Sequence, residues 1–231
     1  MNDERENILG RIREALRLPA PVPGAHERQS AHPVSEREAA VHIPEWLPSV
    51  GVTFEERIAL FQKNAAELKA QFVLLDGAEQ LASQLREIAA AEGWKKVATH
   101  ANELAECAAN SLGLPVVRTD SGYDVHELES CDAGISTCEA LVAQTGSVLV
   151  TSKSSGGRAL SILPPHHVVI ARREQLIADL PAAFALIKAK YGPENYPSLI
   201  SFITGPSRTG DIERILVLGA HGPKKLTILC V

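Results

Sequence analysis

The sequence predicts an α/β fold built on an open, mostly parallel sheet. Between residues 53 and 118, helical and strand patterns alternate in segments whose lengths suit strand–helix–strand units. Parallel neighbours need a crossover connection, and such crossovers are almost always right-handed, so the alternation favours parallel pairing. The chain has 231 residues and can bury roughly 70% of its extended-chain surface, which is enough for a full core.

Residues 1–52 are predicted to form a helix and an extended arm. Residues 2–18 carry an apolar stripe at helical spacing with charges elsewhere, which is typical of an amphipathic helix. Residues 19–48 change to Pro, His, Ser and Glu, as in an extended arm or linker. Residues 53–231 form the predicted main domain.

Caps and apolar runs predict the elements of residues 53–118. Thr53 and Glu56 form a capping box at the start of the first helix, and Gly93 and Gly113 end the next two. The predicted elements are, in order, helix 54–69, strand 72–75, helix 78–91, strand 95–98, helix 103–112 and strand 115–118.

The rest of the chain is predicted to be richer in strands. One helical turn is expected at 139–143, a long helix at 173–190 and a short helical segment at 212–216. The last two strands are joined by GAHGPK, which resembles a hairpin loop. The predicted strands are 133–136, 147–152, 159–163, 167–171, 199–203, 215–218 and 225–231.

Composition and missing motifs argue against several classes of protein. The chain is mildly acidic and poor in aromatic residues, whereas a nucleic-acid groove normally shows a basic surplus with aromatic stacking residues. No apolar run approaches the roughly 20 residues that cross a bilayer, and the charged start is unlike a signal peptide. A soluble, cytoplasmic protein without a membrane span is therefore expected. G-x-S-x-G and G-x-G-x-x-G are absent, which weakens hydrolase and Rossmann dinucleotide interpretations.

The four cysteines predict neither an iron–sulfur cluster nor a metal site within this chain. No C-x-x-C pair occurs among Cys107, Cys131, Cys138 and Cys230, and both kinds of site usually need closely spaced thiolates. Cys131 and Cys138 are expected to be free, buried thiols.

The most informative polar segment follows the predicted strand 199–203. Ligands of open α/β sheets bind beyond the carboxyl ends of strands, where backbone N–H groups are unpaired. Arg208 would give a bidentate fork for an anion, Ser207 and Thr209 would donate hydrogen bonds, and Asp211 would orient Arg208. The alternative is a polar turn with Ser207 or Thr209 as a helix N-cap. The predicted binding set of this loop is Thr204, Gly205, Ser207, Arg208, Thr209 and Asp211.

Two other polar loops and one histidine are further candidates. Thr145 and Ser147 flank Gly146, a glycine that would let a ligand approach the backbone, although a tight turn explains it equally well. Residues 151–158, TSKSSGGR, are cationic and rich in N–H groups, which suits either a phosphate or carboxylate site or a solvated hairpin tip. His221 is a candidate acid or base, or a turn histidine bonded to its neighbours.

The chain resembles the lactate utilization protein C family, whose domain is called LUD, in four segments: AQTGSVLV at 143–150, LPPHHVVIARREQLIADL at 163–180, ITGPSRTGDIE at 203–213 and LVLGAHGPKKLTILCV at 216–231. The resemblance covers most of residues 53–231. It implies a fold like that of glucosamine-6-phosphate deaminase, ribose-5-phosphate isomerase and CoA transferases, with a three-layer α/β/α open sheet and a smaller appended β region. It also implies a role in bacterial L-lactate oxidation to pyruvate, alongside partner subunits that carry the iron–sulfur clusters.

The first hypothesis is therefore a non-redox subunit of a lactate-oxidising complex that binds a small anionic ligand. The alternatives are a stand-alone isomerase or transferase acting on a sugar phosphate or a CoA thioester, and a non-catalytic scaffold subunit. CoA-transferase chemistry needs a glutamate nucleophile, for which Glu139 is the candidate. The family commonly has an acidic residue before the Thr-Gly pair, where this chain has Gln144, and Gln cannot act as a general base.

Overall fold

A computed structural model describes residues 9–11, 13, 14, 17, 49–120, 122–192, 194–209 and 217–231. The chain divides into two compact units, Met1–Pro44 and Glu45–Val231. In the first unit, the described residues 9–11, 13 and 14 are helical, in agreement with the amphipathic pattern. The predicted arm falls almost wholly outside the described residues, and the predicted division at residues 52 and 53 stays a prediction.

The helices of the second unit begin at the caps that the sequence contains. Thr53 and Glu56 exchange both hydrogen bonds of a capping box, and Asn102 caps the third helix by accepting from two backbone N–H groups. Gly93 ends the second helix in the left-handed conformation, with φ of 70°. The described helices are α1 (Phe54–Glu67), α2 (Ala78–Glu92), α3 (Glu103–Asn110), α4 (Val125–Glu129) and α5 (Leu180–Tyr191).

The strands come from the apolar runs. In chain order, the described strands are β1 (Gln71–Leu74), β2 (Val97–Thr99), β3 (Val116–Arg118), β4 (Ala133–Thr137), β5 (Ala140–Val142), β6 (Ser147–Thr151), β7 (His166–Ala171), β8 (Leu176–Ile177), β9 (Ile200–Ile203), β10 (Arg208–Thr209), β11 (Val217–Leu218) and β12 (Lys225–Cys230).

Two main sheets and a short ribbon organise these strands. Six strands form an all-parallel sheet in the order β1-β12-β7-β4-β2-β3. Four form a second sheet in the order β8-β5-β6-β9, in which β6 runs antiparallel to both neighbours. β10 and β11 pair as an antiparallel ribbon. The predicted α/β fold, with a mostly parallel sheet and an appended β region, is confirmed.

Both faces of the parallel sheet are covered, so its central strands are buried throughout. Alternate side chains of a strand point to opposite faces. On one face, Ile135 and Ile170 pack against α2 and α3. On the other face, Val169 and Ile228 pack against α1 and the second sheet. Helix α5 covers the second sheet, where Ile187 lies in the cluster around Leu149.

Two predicted elements have the wrong secondary structure. Residues 139–143 do not form a helical turn but contain β5, because this apolar run pairs with β6 and β8. Residues 159–163 do not form a strand but begin with a 3-10 helix, Ala159–Ser161. There the hydroxyl and the N–H of Ser161 bond back to the carbonyl of Arg158, a local turn that replaces sheet pairing.

The long helix predicted at 173–190 starts seven residues late, at Leu180. Asp179 caps it by accepting from the N–H of Ala182, and Pro181 occupies its first turn. The residues before it form a 3-10 turn and β8 instead. The hairpin predicted between the last two strands is also wrong, because β11 pairs with β10 whereas β12 lies inside the parallel sheet. The predicted helical segment 212–216 lies outside the described residues.

Candidate functional site

Two polar clefts of the second unit are candidate sites, one near the amino ends of the parallel strands and one at their carboxyl ends. We call them the Arg208 cleft, which is lined by Arg158, Ser161, His167, Ser207, Arg208 and His221, and the Glu139 cleft, which is lined by Thr137, Glu139, Lys153, Arg172, Lys190 and Tyr191. Their volumes are about 460 and 450 Å³, within the usual range for small-molecule sites.

The Arg208 cleft collects most of the loop that was predicted to bind an anion. Thr204, Gly205, Ser207, Arg208 and Thr209 all line it. The position differs from the prediction, however, because the preceding strand β9 belongs to the second sheet and runs antiparallel to β6. His167 and Leu226, each the second residue of its parallel strand, also line the cleft. The cleft therefore lies near the amino ends of β7 and β12.

The loop is shaped by backbone contacts rather than by a helix start. The N–H of Ser207 donates to the carbonyl of Pro223 at 2.9 Å, and the carbonyl of Ser207 accepts from the N–H of Gly219 at 2.9 Å. Arg208 then enters β10, which pairs with β11. Its side chain is exposed, and within the described part of the chain it makes no ion pair.

The 145–147 turn lines neither cleft and meets helix α1 at Gly146. A Cβ atom at Gly146, whose φ is +64°, would lie 2.8 Å from the backbone nitrogen of Ala65. Asn64 donates from Nδ2 to the carbonyls of Ala143 and Gln144, both at 2.9 Å. The close approach that the glycine permits is thus made by a helix of the same chain.

One hydrogen bond joins the two predicted loops. The hydroxyls of Ser147 and Thr204 lie 2.8 Å apart. Gly205 lies against the end of the same helix, since a Cβ atom there would lie 2.6 Å from the carbonyl oxygen of Leu68, the C-cap residue of α1. The Thr145–Ser147 turn therefore helps to hold the 204–209 loop in place, although the turn itself does not line the cleft.

His167 is a residue of the Arg208 cleft that the sequence analysis missed. It is 1% exposed, and its Nε2 lies 2.9 Å from the hydroxyl of Ser136. Among the described residues, its buried Nδ1 has no hydrogen-bond partner. Burial lowers the pKa of His167 to about 3, so the ring is neutral at physiological pH. In the sequence, the only signal for a functional role of His167 was its position at the start of an apolar strand beside a second histidine.

The other two residues predicted for this site have different outcomes. His221 is exposed and lines the Arg208 cleft, and a Cβ atom at the neighbouring Gly222 would lie 3.3 Å from Cβ of Ser207. The structure thus brings His221 to the same cleft as Arg208. Asp211 lies outside the described residues.

The Glu139 cleft lies at the carboxyl ends of the parallel strands. Thr137 ends β4 and Glu139 follows it, Arg172 follows β7, and Asn102 caps the helix that follows β2. In the sheet, β2 lies between β3 and β4. The chain continues from β2 to β3 on one side, and β4 is later added on the other side. Open α/β sheets bind ligands at such a switch point, beyond the carboxyl ends of the strands.

Glu139 is the centre of a buried polar network in this cleft. Its carboxylate accepts hydrogen bonds from the hydroxyl of Thr151 at 2.7 Å, from the ammonium group of Lys190 at 2.7 Å and from the hydroxyl of Tyr191. Burial raises the pKa of Glu139, but these three hydrogen bonds outweigh it and hold that pKa below its ordinary value. Glu139 is therefore ionised at neutral pH and engaged by three donors.

Two further cations reach this cleft. The ammonium nitrogen of Lys153 lies 4.9 Å from the ring centre of Tyr191, and that of Lys190 lies 5.5 Å from the same centre. Arg172 is exposed at the end of β7. Among the described residues, neither Lys153 nor Arg172 makes an ion pair.

The cationic loop 151–158 contributes to both clefts. Lys153 lines the Glu139 cleft and Arg158 lines the Arg208 cleft. Between them, Ser154 and Ser155 are buried and bond to Thr151. The loop is therefore partly buried and joins the two clefts, unlike a solvated hairpin tip.

Lys190 and Tyr191 were not singled out from the sequence. They lie 51 and 52 residues from Glu139, in the last turn of α5. A lysine there is ordinarily explained by the helix dipole, so the sequence carried no specific signal. The position of Arg172 just after an apolar strand was a usable signal for a site at the sheet edge.

The fold and its clefts define an open α/β protein with an appended β sheet and with polar clefts at both ends of its parallel strands. Residues 58–231 match the family model described as the LUD domain, and the chain belongs to that family. This confirms the resemblance found in the sequence. Within the described residues, no helix is long and apolar enough to cross a membrane.

Relatives and a solved structure agree with this assignment. The chain is 36% identical over 112 residues to lactate utilization protein C of Shouchella clausii, a match that spans only 48% of this chain and 49% of that relative. It is 23% identical over 239 residues to lactate utilization protein C of Bacillus velezensis, covering 98% of this chain and 95% of the relative. A crystal structure of a DUF162 family protein from Deinococcus radiodurans matches with a TM-score of 0.61 and 19% identity, covering 78% of this chain and 99% of that one. The likeness to the crystal structure concerns the fold alone.

Proposed function

We propose that this chain is a subunit of a bacterial system that oxidises L-lactate to pyruvate. In this proposal the iron–sulfur clusters belong to partner subunits, and the present chain binds a small carboxylate in the Arg208 cleft. The names of its relatives support the lactate-utilization role. The ligand class follows from the chemistry of the cleft.

One observation carries the ligand proposal. Arg158 and Arg208 come from separate segments, line the same cleft, and make no ion pair within the described part of the chain. Guanidinium groups match carboxylates in charge and in planar geometry, so two of them on one cleft favour a carboxylate ligand.

The remaining polar groups of the cleft suit a hydroxy or oxo acid. Thr204 and Ser207 supply hydroxyl groups to the cleft. A ligand hydroxyl or carbonyl oxygen can form hydrogen bonds with such hydroxyl groups. L-lactate and pyruvate each carry one carboxylate and one such oxygen.

Calorimetric titration with L-lactate and with pyruvate tests the binding proposal. Arg208→Ala and Arg158→Ala should each weaken binding by about 1.5–3 kcal/mol, the range for a hydrogen bond to a charged group. Lys188→Ala is the control, because Lys188 is exposed on α5 and lines neither cleft. Unchanged affinity in both arginine variants would remove the Arg208 cleft from the proposal.

Reconstitution tests the role in the pathway. The isolated chain should not oxidise L-lactate with an artificial electron acceptor, whereas the chain combined with its iron–sulfur partners should. Omission of this chain from the mixture should lower the rate, and addition of the Arg208→Ala variant should restore it only in part. Turnover of a sugar phosphate or a CoA thioester by the isolated chain would instead favour the enzyme alternative.

A further inference from the structure

We propose that the Glu139 cleft is a second, separate anion site, which binds the phosphoryl group of a small phosphorylated molecule through Lys153, Arg172 and Lys190. The inference does not depend on lactate binding in the Arg208 cleft. It rests on where the Glu139 cleft lies, on its charges, and on the network that holds those charges in place.

The cleft lies beyond the carboxyl ends of the parallel strands, which is where open α/β sheets bind ligands. Three neighbouring parallel strands, β7, β4 and β2, end at it, and the chain direction diverges between β4 and β2. Asn102 and Glu103, at the amino end of α3, also line it. The amide oxygen of Asn102 already accepts from the N–H groups of Leu104 and Ala105, so the helix contributes its dipole, rather than free N–H groups, to the cationic side chains.

The charges of the cleft are not balanced within it. Three cationic side chains line the cleft, and the buried carboxylate of Glu139 pairs with one of them, Lys190. Lys153 and Lys190 each lie near the ring of Tyr191, with their ammonium nitrogens 4.9 and 5.5 Å from its centre. The exposed carboxylate of Glu103 lies at the rim, where water and salt screen it. A doubly charged anion would balance Lys153 and Arg172, which make no ion pair within the described part of the chain.

Phosphate fits the three cationic side chains of this cleft better than a single carboxylate does. A phosphoryl group has three acceptor oxygens and nearly two negative charges at neutral pH, and lysine and arginine are its usual protein ligands. The volume of about 450 Å³ exceeds that of a phosphate ion, so the rest of a small metabolite has room.

The hydrogen bonds of Glu139 hold cationic side chains of this cleft in place. Glu139 accepts from Lys190, Tyr191 and Thr151, and Gln175 donates to the carbonyl of Cys138 at 2.6 Å. These bonds fix the segment after β4 and the last turn of α5. Glu139 is thus a positioning residue, because it sets the place of Lys190 and of the ring against which Lys153 lies.

Titration with inorganic phosphate, followed by calorimetry at low ionic strength, tests this site. Lys153→Gln and Arg172→Gln should each raise the dissociation constant of phosphate about tenfold or more. Lys188→Gln makes the same charge change on the outside of α5, and Arg208→Gln makes it in the other cleft. Both controls should change the constant less than about twofold. Thermal unfolding of each variant shows that the fold is retained.

Three results would overturn the proposal: no saturable phosphate binding, an equal loss in all four variants, or displacement of bound phosphate by L-lactate. Equal loss would show that binding follows the overall charge of the protein. Displacement by L-lactate would show that the Glu139 cleft is a carboxylate site. Because Arg208→Gln is predicted to affect lactate and not phosphate, failure at one cleft is distinguishable from failure at the other.

Discussion

The ammonium nitrogen of Lys190 lies 2.7 Å from Oε2 of Glu139, a side chain that is only 1% exposed. A buried carboxylate is costly without partners, and Lys190 is its only ion-pair partner among the described residues. The stability of the junction between β4 and α5 should therefore depend on this pair.

Lys190→Met should lower the free energy of unfolding by about 1–3 kcal/mol at neutral pH. The variant leaves Glu139 with two neutral donors, Thr151 and Tyr191, in place of three donors. Urea unfolding followed by circular dichroism measures the loss. Lys188→Met, on the exposed part of the same helix, should stay within about 0.5 kcal/mol of the parent. Equal effects of the two substitutions would show that the pair does not stabilise the fold.

The two adjacent histidines of β7 should make the protein sensitive to mild acid. Burial lowers the pKa of His166 to about 4 and that of His167 to about 3. Near His166, the charge of Glu92 opposes this shift and that of Lys225 adds to it. An unfolded histidine titrates near pH 6.5, so below that pH the unfolded state binds more protons than the native state. Stability should therefore fall as the pH falls from about 6.5, by up to about 1.4 kcal/mol per pH unit for each histidine.

Urea unfolding between about pH 5 and pH 7 checks this slope in a window that lies above most carboxyl titrations. His167→Gln should flatten the slope in part, because it removes one of three buried rings among the described residues; the others are His166 and His100, whose pKa is also lowered by burial. His126→Gln should leave it unchanged, since the side chain of His126 is 91% exposed. If all three proteins share one slope, the buried histidines do not control the acid response.

The fold was predictable where local signals and long-range pairing agree. The capping box at Thr53 and the glycine stop at Gly93 fixed helix ends that the structure reproduces. Residues 139–143 and 173–177 were misassigned because β5 and β8 are short apolar runs without a period of their own. Their strand state comes from pairing with each other and with β6.

The candidate sites were predictable only in part. The chemistry of the 204–209 loop was evident from its residue types, and the structure places that loop on a cleft. Which sheet it follows depends on the antiparallel pairing of β9 with β6, which no local pattern encodes. The pairing of Glu139 with Lys190 spans 51 residues and depends on how α5 packs on the second sheet.

Gly146→Ala should destabilise the protein by about 1–3 kcal/mol. The glycine has φ of +64°, and an added Cβ would lie 2.8 Å from the backbone nitrogen of Ala65. Both the left-handed backbone and the contact with α1 oppose a side chain there. Gly77→Ala is the matched control: its φ is 178°, and no heavy atom lies within 4 Å of the added Cβ. It should change stability by less than about 1 kcal/mol, since Gly77 is the N-cap of α2 and Ala is somewhat less favourable there. Equal losses would refute the packing of the 145–147 turn on α1.

The thiols should differ sharply in reactivity. Cys107 is exposed on α3, whereas Cys131, Cys138 and Cys230 are free and buried, as predicted for Cys131 and Cys138. Burial raises the pKa of Cys131 and of Cys230 to about 11 and that of Cys138 further still. Because the thiolate is the reactive form, both burial and pKa protect these three groups.

A disulfide reagent added to the native protein at mildly alkaline pH should therefore modify one thiol quickly. The other three should react on the timescale of unfolding, and all four should react at once in denaturant. Cys107→Ser should abolish the fast phase and leave the slow phase unchanged. A fast phase of two thiols, or one that survives in Cys107→Ser, would contradict this prediction. It would mean that the ends of β4 or β12, where the buried thiols lie, open far more often than their burial implies.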